Sequence, residues 1–236
     1  PESLTDPSYL GQILILTYPL IGNYGVPEKK YWESDSIKVS GLIVSNYIDT
    51  PSHFQSRMTL GEWLKNEKIP ALEIADTRLL TQKIRTKGTM LGKIILDKNI
   101  DFYDPNKENL VAKVSTRRLL AQGVSLFKES PYKKTVLLID CGAKKNIERC
   151  LIKRGLRVIT VPWDFDPFSN VIASDPSSDG ERGDLSLQKR LLRRFSPRND
   201  RLGFDAIIIS NGPGDPKKAD KTIQTIKKAV GKKIPI

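Results

Sequence analysis

The chain has 236 residues, of which 39% are hydrophobic, and it carries a net charge of +12. This length suits two modest domains, and neither an apolar run of roughly 18 residues nor a signal-peptide pattern is present, so we expect a soluble, cytoplasmic protein without membrane contacts. The lysines and arginines are spread along the chain without a nucleic-acid-binding motif. Solvated faces or contacts with an acidic partner therefore explain the charge better than nucleic-acid binding.

The first half of the chain predicts a mixture of strands and short helices without regular alternation. Thr59 and Glu62 have the spacing of a capping box, which predicts a short helix that ends near Glu67. A second helix is expected over residues 77–87, with Gly88 as its C-terminal stop. Three runs rich in β-branched or apolar side chains are expected to be strands: 12–18, 37–45 and 90–96.

The second half predicts strands that alternate with helices. The expected strands are 135–139, 157–161 and 204–210, with a fourth that opens at Ile234. The expected helices are 144–154 and a segment that runs from the turn 211–216 to Val230. This alternation is typical of a doubly wound parallel sheet. We therefore predict an α/β protein, with a mixed α/β domain over 1–130 and a doubly wound parallel-sheet domain over 131–236.

A polar segment over about 168–203, rich in Ser, Asp, Gly and Arg, interrupts this second pattern. The strand and helix pattern is complete without it. Long segments of this composition do not bury enough apolar surface to fold by themselves. We expect an exposed, weakly ordered surface insertion.

The turn Asn211-Gly-Pro-Gly-Asp-Pro216 is the segment that carries most chemical information, because it joins a predicted parallel strand to a helix. Ligands bind at this edge of open α/β sheets, and glycines allow the backbone to approach them closely. Free N–H groups in such a turn can stabilise a developing oxyanion. From the spacing alone, an ordinary tight turn is still the simpler interpretation, and the same holds for the hydroxyl of Ser8 in its glycine-containing segment.

The two cysteines, Cys141 and Cys150, fit no paired metal or redox spacing. Cys141 lies between a strand and a helix, as a nucleophile does, but no base lies near it in the sequence. A small buried residue is the better interpretation for both cysteines. The only histidine, His53, is expected in a surface loop, and no metal site is expected.

Seven segments match one family's motifs in that family's order: Leu4-Thr-Asp-Pro-Ser-Tyr9, Thr17-Tyr-Pro-Leu-Ile-Gly-Asn23, Ser40-Gly-Leu-Ile-Val44, 76–88, Asp140-Cys-Gly-Ala-Lys-Lys-Asn146, Val161-Pro-Trp-Asp164 and 210–216. Together they resemble the small, glutamine-hydrolysing subunit of carbamoyl phosphate synthetase, a class I glutamine amidotransferase. The resemblance covers nearly the whole chain except 168–203. The Gly-Pro-Gly turn is shared by many amidotransferases, whereas the first-domain motifs are specific to this subunit.

The resemblance implies that the protein takes ammonia from L-glutamine through a Cys-His-Glu triad and passes it to a large synthetase subunit. That partner makes carbamoyl phosphate from bicarbonate and ATP, for pyrimidine and arginine synthesis. By position, Ser8, Gly212 and Gly214 bind glutamine, with the Gly212 N–H directed at the oxyanion.

The same resemblance implies that the triad lies beyond Ile236. We therefore expect that no catalytic residue lies within the chain. Because the chain starts at Pro1 without an initiator Met and ends on the apolar run Ile234-Pro-Ile236, we also expect that both of its ends are cut. No cofactor is expected in this chain, because ATP and magnesium belong to the large subunit. The alternative is a catalytically inactive docking or regulatory homologue.

Overall fold

The computed structural model describes residues 1–95, 98–122, 134–168 and 203–236. The chain divides into two compact units, Pro1–Leu110 and Val111–Ile236. The predicted insertion falls almost wholly on residues outside the described ranges. No helix in the described part of the chain is long and apolar enough to cross a membrane.

The α-helices of the described residues are α1 (Glu2–Thr5), α2 (Leu60–Asn66), α3 (Thr77–Lys87), α4 (Leu110–Val114), α5 (Lys145–Lys153) and α6 (Asp220–Gly231). The strands are β1 (Ile13–Ile15), β2 (Gly41–Val44), β3 (Ala71–Glu73), β4 (Leu120–Gln122), β5 (Lys134–Asp140), β6 (Leu156–Pro162) and β7 (Ala206–Ile209).

The first unit contains a three-stranded parallel sheet in the order β1-β2-β3. Its core includes the rings of Trp32 and Trp63, whose centroids are 4.6 Å apart. The capping box at the start of α2 is confirmed, because the Thr59 hydroxyl accepts the Glu62 N–H and the Glu62 carboxylate accepts the Thr59 N–H. The predicted helix 77–87 is confirmed as α3, which ends at Lys87 with Gly88 as its C-terminal cap.

One strand prediction in this unit, 90–96, was wrong, and one strand was missed. Residues 90–95 form no strand; instead, Ile94 packs over Gly41, and the Lys93 ammonium donates to the Ile100 carbonyl at 2.8 Å. The third strand of the sheet is β3, which the sequence did not indicate. The side chains of β3 are all exposed, so this strand lacks the apolar pattern on which strand prediction depends.

The second unit contains a four-stranded sheet in the order β4-β6-β5-β7. The β5 strand pairs in parallel with β6 and β7, as predicted, and its central residues are fully buried. The α/β class with parallel pairing is thus confirmed in both units. At the predicted fourth strand the described residues form no strand, but the Pro235 carbonyl accepts the Ile207 N–H at 2.9 Å, so the segment lies beside β7.

The second unit begins before the predicted boundary at residue 131. Val111 of α4 packs in its core, and β4 pairs antiparallel with β6. A strand of three residues gives too short a pattern to be recognised from the sequence. The connection that follows β4, residues 123–133, lies outside the described residues.

Candidate functional site

The Gly-Pro-Gly turn follows β7 and lies directly on the end of β5. A methyl group on Gly212 would overlap the carbonyl oxygen of Cys141 and would lie 2.9 Å from its carbonyl carbon. Gly142 approaches from the other side, where an added Cβ would lie 3.1 Å from the Pro213 ring and 3.2 Å from the Gly212 Cα. The φ angle of Gly142, +122°, is also one that favours glycine. Both glycines are therefore required by the close contact of the two strand ends.

A buried carboxylate holds the end of β5 in place. Asp140 Oδ1 accepts the N–H groups of Gly142 at 2.9 Å and Ala143 at 2.7 Å. Its Oδ2 accepts the Thr116 N–H at 2.7 Å. Because three backbone donors surround the carboxylate, its burial is compensated by hydrogen bonds.

The hydroxyl of Ser210 joins the ends of β5 and β7. Ser210 Oγ accepts the Cys141 N–H at 2.9 Å and donates to the Asn211 carbonyl at 2.8 Å. The residue is buried, whereas Asn211 and Gly212 are exposed. The buried start of the turn is thus fixed by hydrogen bonds while its tip faces solvent.

The exposed tip presents two backbone amides. Gly212 and Gly214 are both exposed, and their N–H groups donate no hydrogen bond within the described part of the chain. Pro213 between them has no N–H and is buried. The tip can therefore offer two donors to a carbonyl oxygen or an oxyanion, which is the chemistry expected of this turn.

The helix after the turn is anchored through two buried threonines. The Thr222 hydroxyl donates to the Trp163 carbonyl at 2.6 Å, and the Thr225 hydroxyl donates to the Phe165 carbonyl at 3.4 Å. Both acceptors lie just after β6. The segments that follow β5, β6 and β7 are therefore tied together at one edge of the sheet.

Cys141 is buried at this edge, with its Sγ 3.7 Å from the Thr222 hydroxyl oxygen. Burial raises the pKa of the Cys141 thiol; the charge of Asp140 acts in the same direction, and the hydrogen bond with Thr222 acts against it. A neutral buried thiol is not a nucleophile. Cys150 is half-buried on α5, with its Sγ 3.8 Å from Asn146 Oδ1.

The first unit contains the other two predicted positions. Ser8 follows α1, where its N–H donates to Asp6 Oδ1 at 2.9 Å and its carbonyl accepts from the Gln12 side chain at 3.0 Å. Its contact with glutamine stays a prediction. His53 is half-buried in a loop, and its ring lies 5.3 Å from that of Tyr24 and 4.6 Å from that of Phe54. No group of three or more metal-ligating side chains occurs among the described residues.

Sequence reasoning found the glycines of the turn but missed the side chains that position them. Asp140 and Ser210 each follow a run of apolar residues, and a polar residue at the end of a parallel strand is the one signal that could have indicated them. No sequence pattern distinguishes Thr222, because its hydrogen-bond partners, Cys141 and Trp163, are distant from it in the sequence.

Comparison with known families agrees with this geometry. Residues 137–236 match the model for class I glutamine amidotransferases. Residues 1–94 match the model for the CPSase domain of the carbamoyl-phosphate synthase small chain. The first part of the chain therefore belongs to the family of carbamoyl-phosphate synthase small-chain CPSase domains and the second part to the class I glutamine amidotransferases, and the family predicted from the sequence motifs is confirmed.

Several curated proteins are similar over almost the whole chain. Mouse carbamoyl-phosphate synthase (ammonia), mitochondrial, is 41% identical over 97% of this chain and 13% of its own length. The multifunctional protein CAD of Squalus acanthias is 40% identical over 100% of this chain and 9% of its own length. Multifunctional protein pyr1-3 of Dictyostelium discoideum is 38% identical over 97% of this chain and 10% of its own length. The chain thus spans about a tenth of the length of these relatives.

Proposed function

We propose that this chain is part of a glutamine-dependent carbamoyl phosphate synthase, in which it hydrolyses glutamine and supplies ammonia to the synthetase. The observation that carries the proposal is the pair of exposed glycines, Gly212 and Gly214, whose N–H groups donate no hydrogen bond among the described residues, at the edge of a parallel sheet in a chain of this family. Glutaminase chemistry passes through a tetrahedral intermediate, which needs fixed N–H donors. In this proposal Ser8, Gly212 and Gly214 bind glutamine, and the Gly212 N–H faces the oxyanion.

The thiolate that attacks glutamine is proposed to come from outside these 236 residues. Cys141 is excluded by its burial and its raised pKa, and Cys150 hydrogen-bonds to Asn146 on the same helix. His53, the single histidine, lies in the first unit beside two aromatic rings. A triad of cysteine, histidine and glutamate therefore requires further residues.

The proposed partner is the synthetase large subunit, or a synthetase region of the same polypeptide, as the length of the relatives suggests. ATP and magnesium are proposed to act there, not in this chain. Carbamoyl phosphate would then serve pyrimidine synthesis, arginine synthesis or both. The cytoplasmic location stays a prediction, since the mouse relative is named mitochondrial.

A catalytically inactive homologue of the small subunit is the second candidate. The mouse, rat and human relatives, at 41%, 41% and 40% identity, carry ammonia in their names, while CAD of Squalus acanthias is 40% identical. This chain is therefore as similar to relatives that carry ammonia in their names as to one that does not.

The test is carbamoyl phosphate synthesis by the natural full-length protein with glutamine or with ammonium as the nitrogen source. Synthesis from glutamine supports the first proposal, and synthesis from ammonium alone supports the second. The 236-residue chain by itself should release no ammonia from glutamine, with or without Cys141→Ala. Ammonia release by the 236-residue chain that disappears in Cys141→Ala would show that the buried cysteine is the nucleophile.

A further inference from the structure

The hydrogen bonds of Ser210 determine how one particular peptide group is oriented. A serine hydroxyl has one proton, so it can donate to one acceptor while its lone pairs accept from others. Here Ser210 Oγ accepts the Cys141 N–H at 2.9 Å and donates its own proton to the Asn211 carbonyl at 2.8 Å. The Asn211 carbonyl is therefore held on the side of the buried Ser210 side chain.

The Asn211 carbonyl and the Gly212 N–H belong to the same peptide group. A trans peptide is planar, and its C=O and N–H point in opposite directions; no cis peptide occurs among the described residues. Fixing the carbonyl toward Ser210 therefore fixes the Gly212 N–H away from it, at the exposed tip of the turn. Rotation of this peptide group would break the Ser210 bond and turn the N–H away from the tip.

No neighbouring residue can replace this donor. The next residue is Pro213, which has no N–H, so the amides of Gly212 and Gly214 are separated by a position that cannot donate. Both glycines lack a side chain that could restrict the backbone. The orientation of the peptide between Asn211 and Gly212 thus depends on the hydroxyl of Ser210 and on the close contact with Cys141.

We propose that Ser210 is a positioning residue for glutamine hydrolysis, whose hydroxyl keeps the Gly212 N–H aimed at the oxyanion. This inference rests on the proposed function of the turn. The oxyanion forms only as the reaction proceeds, so a misaligned donor weakens the transition state more than the bound substrate. Loss of the hydroxyl should therefore lower kcat for glutamine and leave KM nearly unchanged.

Ser115 provides a matched control. Its hydroxyl has the same double role, since it accepts the Trp163 N–H at 3.0 Å and donates to the Thr116 carbonyl at 3.3 Å. Neither of these partners belongs to the Gly-Pro-Gly turn. Ser115→Ala therefore removes an equivalent pair of hydrogen bonds without freeing the Gly212 peptide.

The experiment compares Ser210→Ala, Ser210→Cys, Ser210→Thr and Ser115→Ala in the natural full-length protein, with glutamine and with ammonium as nitrogen sources. We expect Ser210→Ala to lower kcat for glutamine by about 10- to 100-fold, with KM within about threefold of the parent value. Ser210→Thr keeps the hydroxyl and should restore most of the rate, and Ser210→Cys, with its weaker donor, should fall between them. Synthesis from ammonium should be unchanged in all four variants.

Equal glutamine rates in Ser210→Ala and the parent protein would overturn the proposal, as would an equal loss in Ser115→Ala. If Ser210→Ala does not fold, the milder Ser210→Cys decides: an unchanged glutamine rate overturns the proposal, and a reduced rate with normal ammonium use supports it. If the parent protein itself uses ammonium but not glutamine, the proposed function fails, and the role of Ser210 fails with it. These results are distinguishable, because only the last appears in the unmutated protein.

Discussion

Replacing Gly212 by alanine tests the close contact between the turn and the end of β5. The added methyl would overlap the Cys141 carbonyl oxygen and lie 2.9 Å from the carbonyl carbon. Carbon atoms in contact prefer separations of about 3.5 Å or more, and the overlap with the oxygen is larger than that with the carbon, so the turn must move outward by roughly 1 Å or more. The end of β5 is held by Ser210 and Asp140 and cannot yield easily.

The expected losses of stability and of glutamine rate follow from this displacement. Overpacking of this kind destabilises proteins by about 1–3 kcal/mol. In the full-length protein the same displacement of the proposed oxyanion donor should lower the glutamine rate by on the order of 100-fold, because a shift of about 1 Å has that effect on catalytic geometry. Synthesis from ammonium should be unaffected.

The stability change can be measured in the 236-residue chain by urea unfolding, followed by circular dichroism and by tryptophan fluorescence, to which Trp163 contributes from the second unit. Gly231→Ala, in the last turn of α6, is the matched control, because nothing lies within 4 Å of the added methyl. There alanine should be neutral or stabilising by up to about 1 kcal/mol. An unchanged unfolding midpoint in Gly212→Ala, or an equal loss in Gly231→Ala, would refute the argument from the contact.

Three further substitutions or treatments test other parts of the structure. Asp140→Asn should destabilise the second unit by about 1–3 kcal/mol in urea unfolding, because an amide cannot accept all three backbone N–H groups. Iodoacetamide should alkylate Cys141 more slowly than Cys150 at neutral pH, as followed by mass spectrometry, because burial raises the pKa of Cys141. The alkylation rate of Cys141 should rise only at a pH above the usual range for thiols. Thr59→Ala should destabilise the first unit by about 0.5–2 kcal/mol, as measured by thermal unfolding, through loss of the helix cap.

The parts of the fold that could be predicted from the sequence are those with local signals. The capping box at Thr59 and the stop at Gly88 define two helices by residues only a few positions apart. The strand β5 is a continuous apolar run, which is typical of a strand buried on both faces. The exposed strand β3 was missed, and residues 90–95 were wrongly predicted to be a strand, because pairing partners and not local pattern decide their structure.

The glycines of the candidate site could be predicted from the sequence, but the side chains that hold them in position could not. Gly212 and Gly214 could be found because few other residues fit a turn between a parallel strand and a helix. The bond between the Cys141 N–H and Ser210 joins residues 69 positions apart, so no local pattern indicates it. The contact of Ser8 with glutamine and the character of the insertion stay predictions.

The register of the sheet connects the core of the second unit to the geometry of the turn. Ile139 of β5 is paired with Ile209 of β7, so the next residues along each strand, Asp140 and Ser210, reach the carboxyl edge together. A slip of β5 by one residue would take the Asp140 carboxylate away from the three backbone N–H groups that it accepts, and would leave a buried charge without compensation. These hydrogen bonds oppose a change of register, and the register brings Ser210 to the Cys141 N–H. Donors held in this way need no reorganisation when charge develops on a substrate, which is the property that an oxyanion site requires.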